Sequence, residues 1–205
     1  MNTPADRATR VQDIVTVFLL SITAVLTAWC GFESSKWGGE MSIAFSQASS
    51  ARVQAAAAAG EARDARQFDL QIYTQWVVAT ADEREQLAAY VEDRFPERLK
   101  VAFDAWVDGG MAEDSPLVVD AYVAPGDAEA ADLTARADGK FQEALENNQR
   151  GDNYSLLTVM FALVLFLGAM SQRDITRWVS RTLLGLGVVV ALVGIGLLTT
   201  FPIKI

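Results

Sequence analysis

Three long apolar stretches constrain this chain more than any other feature of its sequence. Residues 14–32, 154–171 and 182–201 contain no Asp, Glu, Lys, Arg or His, and they are 19, 18 and 20 residues long. A helix needs roughly 20 apolar residues to cross the ~30 Å hydrocarbon core of a bilayer. The three stretches therefore predict an all-α membrane protein with three transmembrane helices.

Charge is divided unequally between the segments that these stretches separate. Residues 33–153 contain 23 acidic and 11 basic residues, a net charge of −12, whereas the whole chain has a net charge of −9. The short flanking segments carry five arginines: Arg7, Arg10, Arg173, Arg177 and Arg181. Short segments rich in Arg and Lys stay in the cytoplasm, whereas long segments are exported largely regardless of their charge. We therefore expect a multi-pass membrane protein with a cytoplasmic N-terminus and an extracytoplasmic C-terminus.

The predicted domain organisation follows from the same boundaries. It consists of a cytoplasmic N-terminus (1–13), transmembrane helix 1 (14–32), an extracytoplasmic helical domain (33–153), transmembrane helix 2 (154–171), a cytoplasmic hairpin loop (172–181), transmembrane helix 3 (182–201) and an extracytoplasmic C-terminus (202–205). A cleaved signal peptide is the alternative for the first stretch. Its cleavage signal is poor, since Trp29 stands before Cys30 where a small residue is needed.

The chain lacks the residues that most catalytic and metal sites require. Histidine is absent and Cys30 is the only cysteine, so neither the usual zinc sites nor cysteine–histidine nucleophiles can be built within one chain. Phosphate-binding and dinucleotide-binding glycine motifs are also missing. We expect no enzymatic activity, no cofactor and no bound metal. Cys30 itself is interpreted as an apolar filler, with a reactive thiol as the alternative.

The exported segment is predicted to be helical almost throughout. No proline occurs between residues 34 and 79, and this stretch is rich in Ala, Gln and Arg, which are good helix formers. The returning segment 127–153 has one apolar helical face, formed by Leu133, Ala137, Phe141, Ala144, Leu145 and Asn148. Its expected partner on the outgoing helix is the face formed by Phe45, Ser49, Arg52, Ala56, Gly60 and Arg63. Together they predict an antiparallel helical stalk.

A small helical cap is predicted between the two stalk helices. Thr80 and Glu83 have the spacing of a capping box at a helix start, and Pro96 suits the first turn of the next helix. A further short helix is expected from Ser115 to Val123. The aromatic residues of this region are expected to share one core: Phe68, Tyr73, Trp76, Tyr90, Phe95, Phe103, Trp106 and Tyr122.

Charged and aromatic residues mark the ends of the apolar stretches. Glu33, Lys36 and Glu40 are separated by three and four residues, so they share one face of a helix. They are interpreted as a solvated ladder of ion pairs, or, in several copies around an axis, as charges at the outer mouth of a pore. The candidate anchors at the membrane interfaces are Trp29, Trp37, Tyr154 and Trp178.

A seam of small residues runs along the third apolar stretch. Gly187, Ala191 and Gly194 lie on one helical face, and small residues let helix backbones approach closely. The expected contact is with another transmembrane helix of the same chain or with a neighbouring subunit. No ionisable residue lies within any of the three stretches, which disfavours active transport.

The residues around the end of the first stretch carry a family resemblance. Ala-Trp-Cys-Gly-Phe-Glu-Ser-Ser-Lys-Trp-Gly-Gly-Glu at residues 28–40, followed by Phe-Ser-Gln-Ala at 45–48 and Arg52, resembles a pattern in uncharacterised bacterial three-span inner-membrane proteins. The match covers about a tenth of the chain. It implies an integral protein of the bacterial inner membrane with a helical extracytoplasmic insertion, and it implies no activity and no site residues.

Our leading hypothesis is a non-enzymatic membrane scaffold or accessory subunit that self-associates or binds an envelope partner through its acidic helical domain. The alanine-rich outgoing helix has more small-residue surface than a single return helix covers, which favours contacts between copies. The alternative is a homo-oligomeric, cation-preferring channel with Glu33 and Glu40 at its outer mouth. A ligand sensor with a pocket among Trp76, Trp106 and Tyr122 is a third hypothesis. The strongly negative domain argues against nucleic acid as a partner.

Overall fold

The computed structural model of this chain describes the backbone of residues 4–173 and 176–204, with side-chain surroundings from residue 10 onward. Within that part the chain is all-helical, in the order α1 (Pro4–Ala81), α2 (Glu85–Glu92), α3 (Glu97–Asp108), α4 (Asp127–Ser171) and α5 (Arg177–Leu198). Residues 1–3, 174, 175 and 205 of the predicted terminal and loop segments lie outside the described residues, as does the side chain of Arg7.

Three of the helices match the main expectation from the sequence. The helices α1, α4 and α5 are each long and apolar enough to cross a membrane, which confirms the prediction of an all-α chain with three such helices. Two of them extend far beyond their apolar stretches, since α1 has 78 residues and α4 has 45. The glycine pair Gly38-Gly39 does not interrupt α1.

The chain divides into two compact units. The apolar unit comprises Met1–Ser46 and Phe141–Ile205, and the acidic unit comprises Gln47–Lys140. The acidic unit contains 18 acidic and 9 basic residues. Both units contain parts of α1 and α4, and the apolar unit also contains the whole of α5.

Within the apolar unit, α1 and α4 lie antiparallel. The hydroxyl oxygens of Ser34 and Ser155 are 2.8 Å apart, and the rings of Phe45 and Phe141 meet edge to face with their centroids 5.4 Å apart. Residue numbers on α4 therefore fall as those on α1 rise, which is the direction expected for two helices that cross the same layer in succession.

The third helix of the apolar unit, α5, packs against both of the others. The amide of Gln12 on α1 donates to the hydroxyl of Ser180 at 2.7 Å, and the Ser180 hydroxyl donates to the backbone carbonyl of Ser171 at the end of α4. Farther along α5, a Cβ added to Gly194 would lie 2.9 Å from the ring of Phe161 on α4. These contacts make a three-helix arrangement in which α5 runs parallel to α1.

A buried stripe with a seven-residue repeat follows α1. Its members recur at steps of seven, or of three and four, and are Thr16, Thr23, Cys30, Glu33, Trp37, Ala44, Ala48, Ala51, Ala55, Ala58, Ala62, Asp69 and Tyr73. A repeat of this length keeps one face of a helix against its partner when the two helices supercoil. The alanines in the middle allow close approach of the neighbouring backbone.

The face predicted for the outgoing helix contacts α4 through Phe45, whose ring meets that of Phe141, and through Arg52, which lies 3.7 Å from Asp138. Most of the buried positions on this part of α1, however, lie one residue earlier. Ser49, Arg52, Ala56 and Arg63 are exposed, and the neighbouring alanines of the stripe are buried instead. The error arises because every position from 55 to 59 is alanine, so composition does not distinguish neighbouring faces. On α4, Ala137 and Ala144 are buried as expected, whereas Leu145 is 43% exposed.

In the acidic unit, a small core forms where α1 ends. Tyr73, Val91, Phe95, Leu99, Phe103 and Trp106 are buried together, with Trp76 packed against them. The rings of Trp76 and Phe103 meet edge to face, with their centroids 4.9 Å apart. Phe68 and Tyr90 were expected in this core but are 52% and 56% exposed.

Two local predictions for the acidic unit are wrong. Thr80 does not begin a helix, because α1 continues through it to Ala81 and Glu83 adopts a φ of 55° in the turn that follows. The predicted helix from Ser115 to Val123 is a series of turns. Only isolated bonds between residues three apart form there, such as that from the Val118 N–H to the Ser115 carbonyl, and β-branched valines weaken any helix.

Candidate functional site at the end of the apolar helices

A buried carboxylate lies where the apolar stretch of α1 ends. Glu33 belongs to the buried stripe and has no exposed surface. Its Oε2 accepts a hydrogen bond of 2.9 Å from the backbone N–H of Lys204. Its Oε1 is buried and has no hydrogen-bond partner among the residues that the structure describes. Burial of a polar oxygen without a partner is costly, so Glu33 marks a candidate functional site.

Trp37 lies one helical turn beyond Glu33 on the same stripe. The residue is 6% exposed, and its indole N–H also has no partner in the described part of the chain. Two cations flank the ring, with the Arg150 guanidinium carbon 4.8 Å and the Lys204 ammonium nitrogen 5.6 Å from its centroid. Such cation–π contacts contribute about 0.5–2 kcal/mol each, depending on how far the cation is desolvated.

The segment after α5 folds back onto α1 and α4. The hydroxyl of Tyr154 donates to the backbone carbonyl of Pro202 at 3.0 Å, and the ring of Phe201 packs edge to face on Tyr154 at 5.6 Å. The ammonium of Lys204 lies 3.3 Å from the carboxylate of Glu40. Together with the contact to Glu33, these interactions fix residues 201–204 in place.

We call Glu33, Trp37, Glu40, Arg150, Tyr154 and Lys204 the boundary cluster. Its residues join α1, α4 and the segment after α5. Chemically the cluster is suited to holding the ends of the helices together. The described residues contain no group of three or more His, Cys, Asp or Glu side chains that could hold a metal ion.

The three predicted boundary charges do not share one environment. Glu33 is buried, Glu40 is half-buried against Lys204, and Lys36 is exposed with its ammonium 6.0 Å from the Phe32 ring. A helix turns by about 100° per residue, so positions three and four apart diverge enough for the partner helix to cover one and leave the other open. Glu33, Lys36 and Glu40 therefore do not form a solvated ladder of ion pairs within this chain.

The predicted interface aromatics fall into two pairs. Trp29 and Trp178 are 39% and 74% exposed, whereas Trp37 is nearly buried and Tyr154 is fully buried. The exposed pair has the surface that contact with lipid headgroups requires. The buried pair instead contributes to the boundary cluster and to the core around it, which also contains Cys30, Leu157 and Phe161.

The predicted seam on α5 faces the interior of the chain. Gly187, Ala191 and Gly194 are all buried. A Cβ on Gly194 would lie 2.9 Å from the Phe161 ring, and one on Gly187 would lie 3.6 Å from the Leu167 side chain. The small residues thus bring α5 close to α4 within one chain.

A second buried carboxylate, Asp69, lies in the acidic unit. Asp69 has no exposed surface and accepts two hydrogen bonds from the Arg98 guanidinium, at 2.6 and 2.9 Å. The Tyr122 hydroxyl donates to the same carboxylate at 2.7 Å. The hydrogen bond with Asp69 raises the pKa of Arg98 above its ordinary value. Burial first, and then the hydrogen bond to Asp69, raise the pKa of Tyr122 to about 12.

Sequence reasoning did not identify this network or the role of Lys204. One signal for Asp69 was present, because it continues the buried stripe seven residues after Ala62. A carboxylate on such a stripe requires a cationic partner. Which of several arginines supplies it depends on tertiary structure.

Comparisons with protein-family models, with curated proteins and with solved structures give no match to this chain. Its function is therefore argued from its own residues.

Proposed function

We propose that this chain is a non-enzymatic integral membrane scaffold or accessory subunit of the bacterial inner membrane, which presents the acidic unit outside the cytoplasm. One observation carries the proposal. All three helices of the apolar unit expose large apolar side chains: Val17, Phe18, Ile22, Val25 and Phe32 on α1, Leu156, Val159, Leu163 and Phe166 on α4, and Leu186, Val189, Leu192 and Val193 on α5. Soluble monomers rarely expose apolar patches larger than a few hundred Å², whereas lipid satisfies such a surface.

The distribution of arginines supports the proposed orientation. Arg10, Arg173, Arg177 and Arg181 lie at the end of the apolar unit where α4 and α5 are connected, and all four are exposed. In the sequence, the acidic unit lies between the first and second apolar stretches. An arginine-rich end in the cytoplasm and an acidic domain outside agree with the positive-inside rule.

Self-association is the proposed route by which the scaffold acts. On the side of α1 away from the buried stripe, Ser49, Val53 and Ala56 recur at steps of four and three residues and are exposed, and the half-buried Gly60 follows. Small side chains at this spacing suit close contact with a parallel helix. All copies in one membrane share one orientation, so α1 of a neighbouring copy is the natural partner.

The experiment measures the mass of the complex that the detergent-solubilised full chain forms. We expect an oligomer for the wild-type chain, a shift toward monomer for the double variant Val53→Glu/Ala56→Glu, and no shift for Gln54→Glu, which is exposed on the flank of the same helix. A strictly monomeric wild-type chain would exclude self-association. Release of the chain from membranes by alkaline carbonate would exclude membrane integration.

The channel alternative receives less support from the positions of its residues. Glu33 is buried within a single chain, and the hydroxyl of Thr27 donates to the backbone carbonyl of Thr23 on its own helix. Neither group is free to line a path between copies. A conductance in planar bilayers that loses cation preference in Glu40→Gln would favour the channel over the scaffold.

A further inference from the structure

A cleft of 640 Å³ opens between α1 and α5 in the apolar unit. Its walls are mainly aliphatic and include Val11 and Val15 from α1 and Leu184 and Val188 from α5. The volume lies in the ~300–1,000 Å³ range typical of small-molecule sites. An elongated apolar group is the ligand that such walls accept.

The space in the cleft depends on a glycine. Gly185 lines the cleft, and a Cβ added to it would meet no atom within 4 Å. In contrast to Gly187 and Gly194, which bring α5 close to α4, Gly185 faces open space. Its lack of a side chain leaves room beside α5 that no residue of the described chain fills.

A cation lines the same cleft. Arg181 is exposed, and its guanidinium has no hydrogen-bond or ion-pair partner among the described residues. Arg10, Arg173 and Arg177 are exposed at the same end of the apolar unit. Among the side chains that the structure describes there, one is acidic, that of Asp13. The cleft therefore combines aliphatic walls with a positive rim, which complements an amphiphile with a negative head.

We propose that this cleft binds an anionic phospholipid of the cytoplasmic leaflet, with its phosphate on Arg181 and one acyl chain lying over Gly185 between Val15 and Val188. The inference rests on the proposed function, since that orientation brings the arginine-rich end to the cytoplasmic leaflet, whose surface is negative. Basic clefts between transmembrane helices on that side bind anionic headgroups. A zwitterionic lipid is a weaker ligand because its own cationic group offsets the attraction to Arg181.

The first test compares two lipids by native mass spectrometry of the detergent-solubilised full chain. The probes are phosphatidylglycerol and phosphatidylethanolamine with identical acyl chains. We expect the wild-type chain to retain phosphatidylglycerol preferentially, and Arg181→Gln to lower that preference about fivefold. Arg173→Gln is the matched control, because Arg173 is exposed at the same end but does not line the cleft. Equal losses in the two variants, or no preference in the wild-type chain, would overturn the proposal.

The second test fills the cleft. Gly185→Leu is expected to reduce retention of both lipids at least fivefold, whereas Gly196→Leu, whose added Cβ also meets nothing within 4 Å, is expected to leave retention unchanged. If the Gly185→Leu variant retained both lipids as well as the wild-type chain does, the assigned position of the acyl chain would be contradicted.

A measurement on the wild-type chain does not depend on how the variants fold. Phosphatidylglycerol with a photoreactive group in its acyl chain should label residues 11–15 and 181–188 above all others. Labelling spread evenly over α1, α4 and α5 would overturn the proposal while leaving membrane integration intact. Release of the chain by alkaline carbonate would instead contradict the proposed function on which the inference rests.

Discussion

Glu33 and Lys204 are 171 residues apart in the sequence, yet the backbone N–H of Lys204 donates to the Glu33 carboxylate at 2.9 Å. A hydrogen bond to a charged group contributes about 1.5–3 kcal/mol, enough to decide whether a short segment stays docked. The contact of the Lys204 ammonium with Glu40 is more exposed, and exposed ion pairs contribute at most about 1 kcal/mol. Glu33 is therefore the residue on which the position of residues 201–204 depends most.

Replacement of Glu33 should release the final segment. In Glu33→Ala the Lys204 N–H loses its acceptor, and we expect amide hydrogen exchange at Ile203 and Lys204 to become at least about tenfold faster. Glu40→Ala keeps that acceptor and should change the exchange rate by less than half as much on a logarithmic scale. Mass-spectrometric hydrogen exchange of the full chain measures both. Unchanged protection in Glu33→Ala would refute this assignment.

Tyr122 should make the acidic unit less stable at high pH. Its pKa is raised by burial and by Asp69 to about 12 in the folded chain, against 10.0 for an ordinary tyrosine. The folded state therefore holds the proton more tightly than the unfolded state does. The resulting contribution is complete below pH 10.0, falls as the pH rises from there, and is lost above a pH of about 12.

The ultraviolet absorbance of tyrosinate tests this prediction in the folded chain. The protein has four tyrosines, and Tyr122→Phe should remove one that ionises near pH 12. Burial also raises the pKa of Tyr73, so Tyr73→Phe is the control that separates the two titrations. Loss of a group that ionises near pH 10.0 in Tyr122→Phe would contradict the buried position of its hydroxyl.

Among the elements, the buried alanine stripe of α1 sets the distance to its neighbours. Ala55 and Ala57 are two residues apart, but Ala55 belongs to the stripe and is 7% exposed, whereas Ala57 is exposed and lies outside the face proposed for contact between copies. Ala55→Leu forces a larger side chain into a close contact and should lower the free energy of unfolding by about 1–3 kcal/mol. Ala57→Leu should change it by less than about 0.5 kcal/mol. Thermal unfolding followed by circular dichroism compares the two variants, and equal melting temperatures would contradict the assigned face.

The turn into α4 offers a second matched pair. Gly126 has a φ of 85°, and a Cβ there would lie 2.4 Å from the backbone carbonyl oxygen of Ala58, whereas Gly110 has a φ of 73° with nothing within 4 Å. Gly110→Ala should cost about 1 kcal/mol for the left-handed backbone alone. Gly126→Ala should cost at least about 2 kcal/mol, because overlap with α1 adds to that strain. Chemical unfolding in detergent measures the difference, which would vanish if α1 and the turn did not meet.

The elements also show how far sequence reasoning reached. The apolar stretches predicted α1, α4 and α5 because length and hydropathy are local properties of the chain. The buried face of α1 was misplaced by one residue, since a run of alanines looks alike on every side. The helix expected from Ser115 to Val123 is absent, and isolated turns form there instead. The β-branched valines of this segment weaken any helix. The contacts of Glu33 with Lys204 and of Asp69 with Arg98 join distant segments, so no local pattern predicts them.

For the whole molecule, the solvent around the apolar unit decides whether its exposed apolar side chains are stable. In the described chain 37 large apolar side chains are exposed, and 19 of the 30 on α1, α4 and α5 lie in the three apolar stretches. In water, each fully exposed side chain of this size forgoes about 1.5–3 kcal/mol of transfer free energy. Under the proposed function, lipid would remove that cost and the arginines at one end would select the orientation.

Labelling of engineered cysteines in intact cells tests this claim most directly. In a Cys30→Ser background, one variant carries Asp114→Cys in the acidic unit and the other carries Gln172→Cys between α4 and α5. Both residues are exposed, so a membrane-impermeant maleimide reports only on the side of the membrane. We predict that Asp114→Cys is labelled in intact cells and that Gln172→Cys is labelled only after the cells are lysed. Protection of Asp114→Cys in intact cells, together with labelling of Gln172→Cys there, would contradict membrane insertion with the acidic unit outside the cytoplasm.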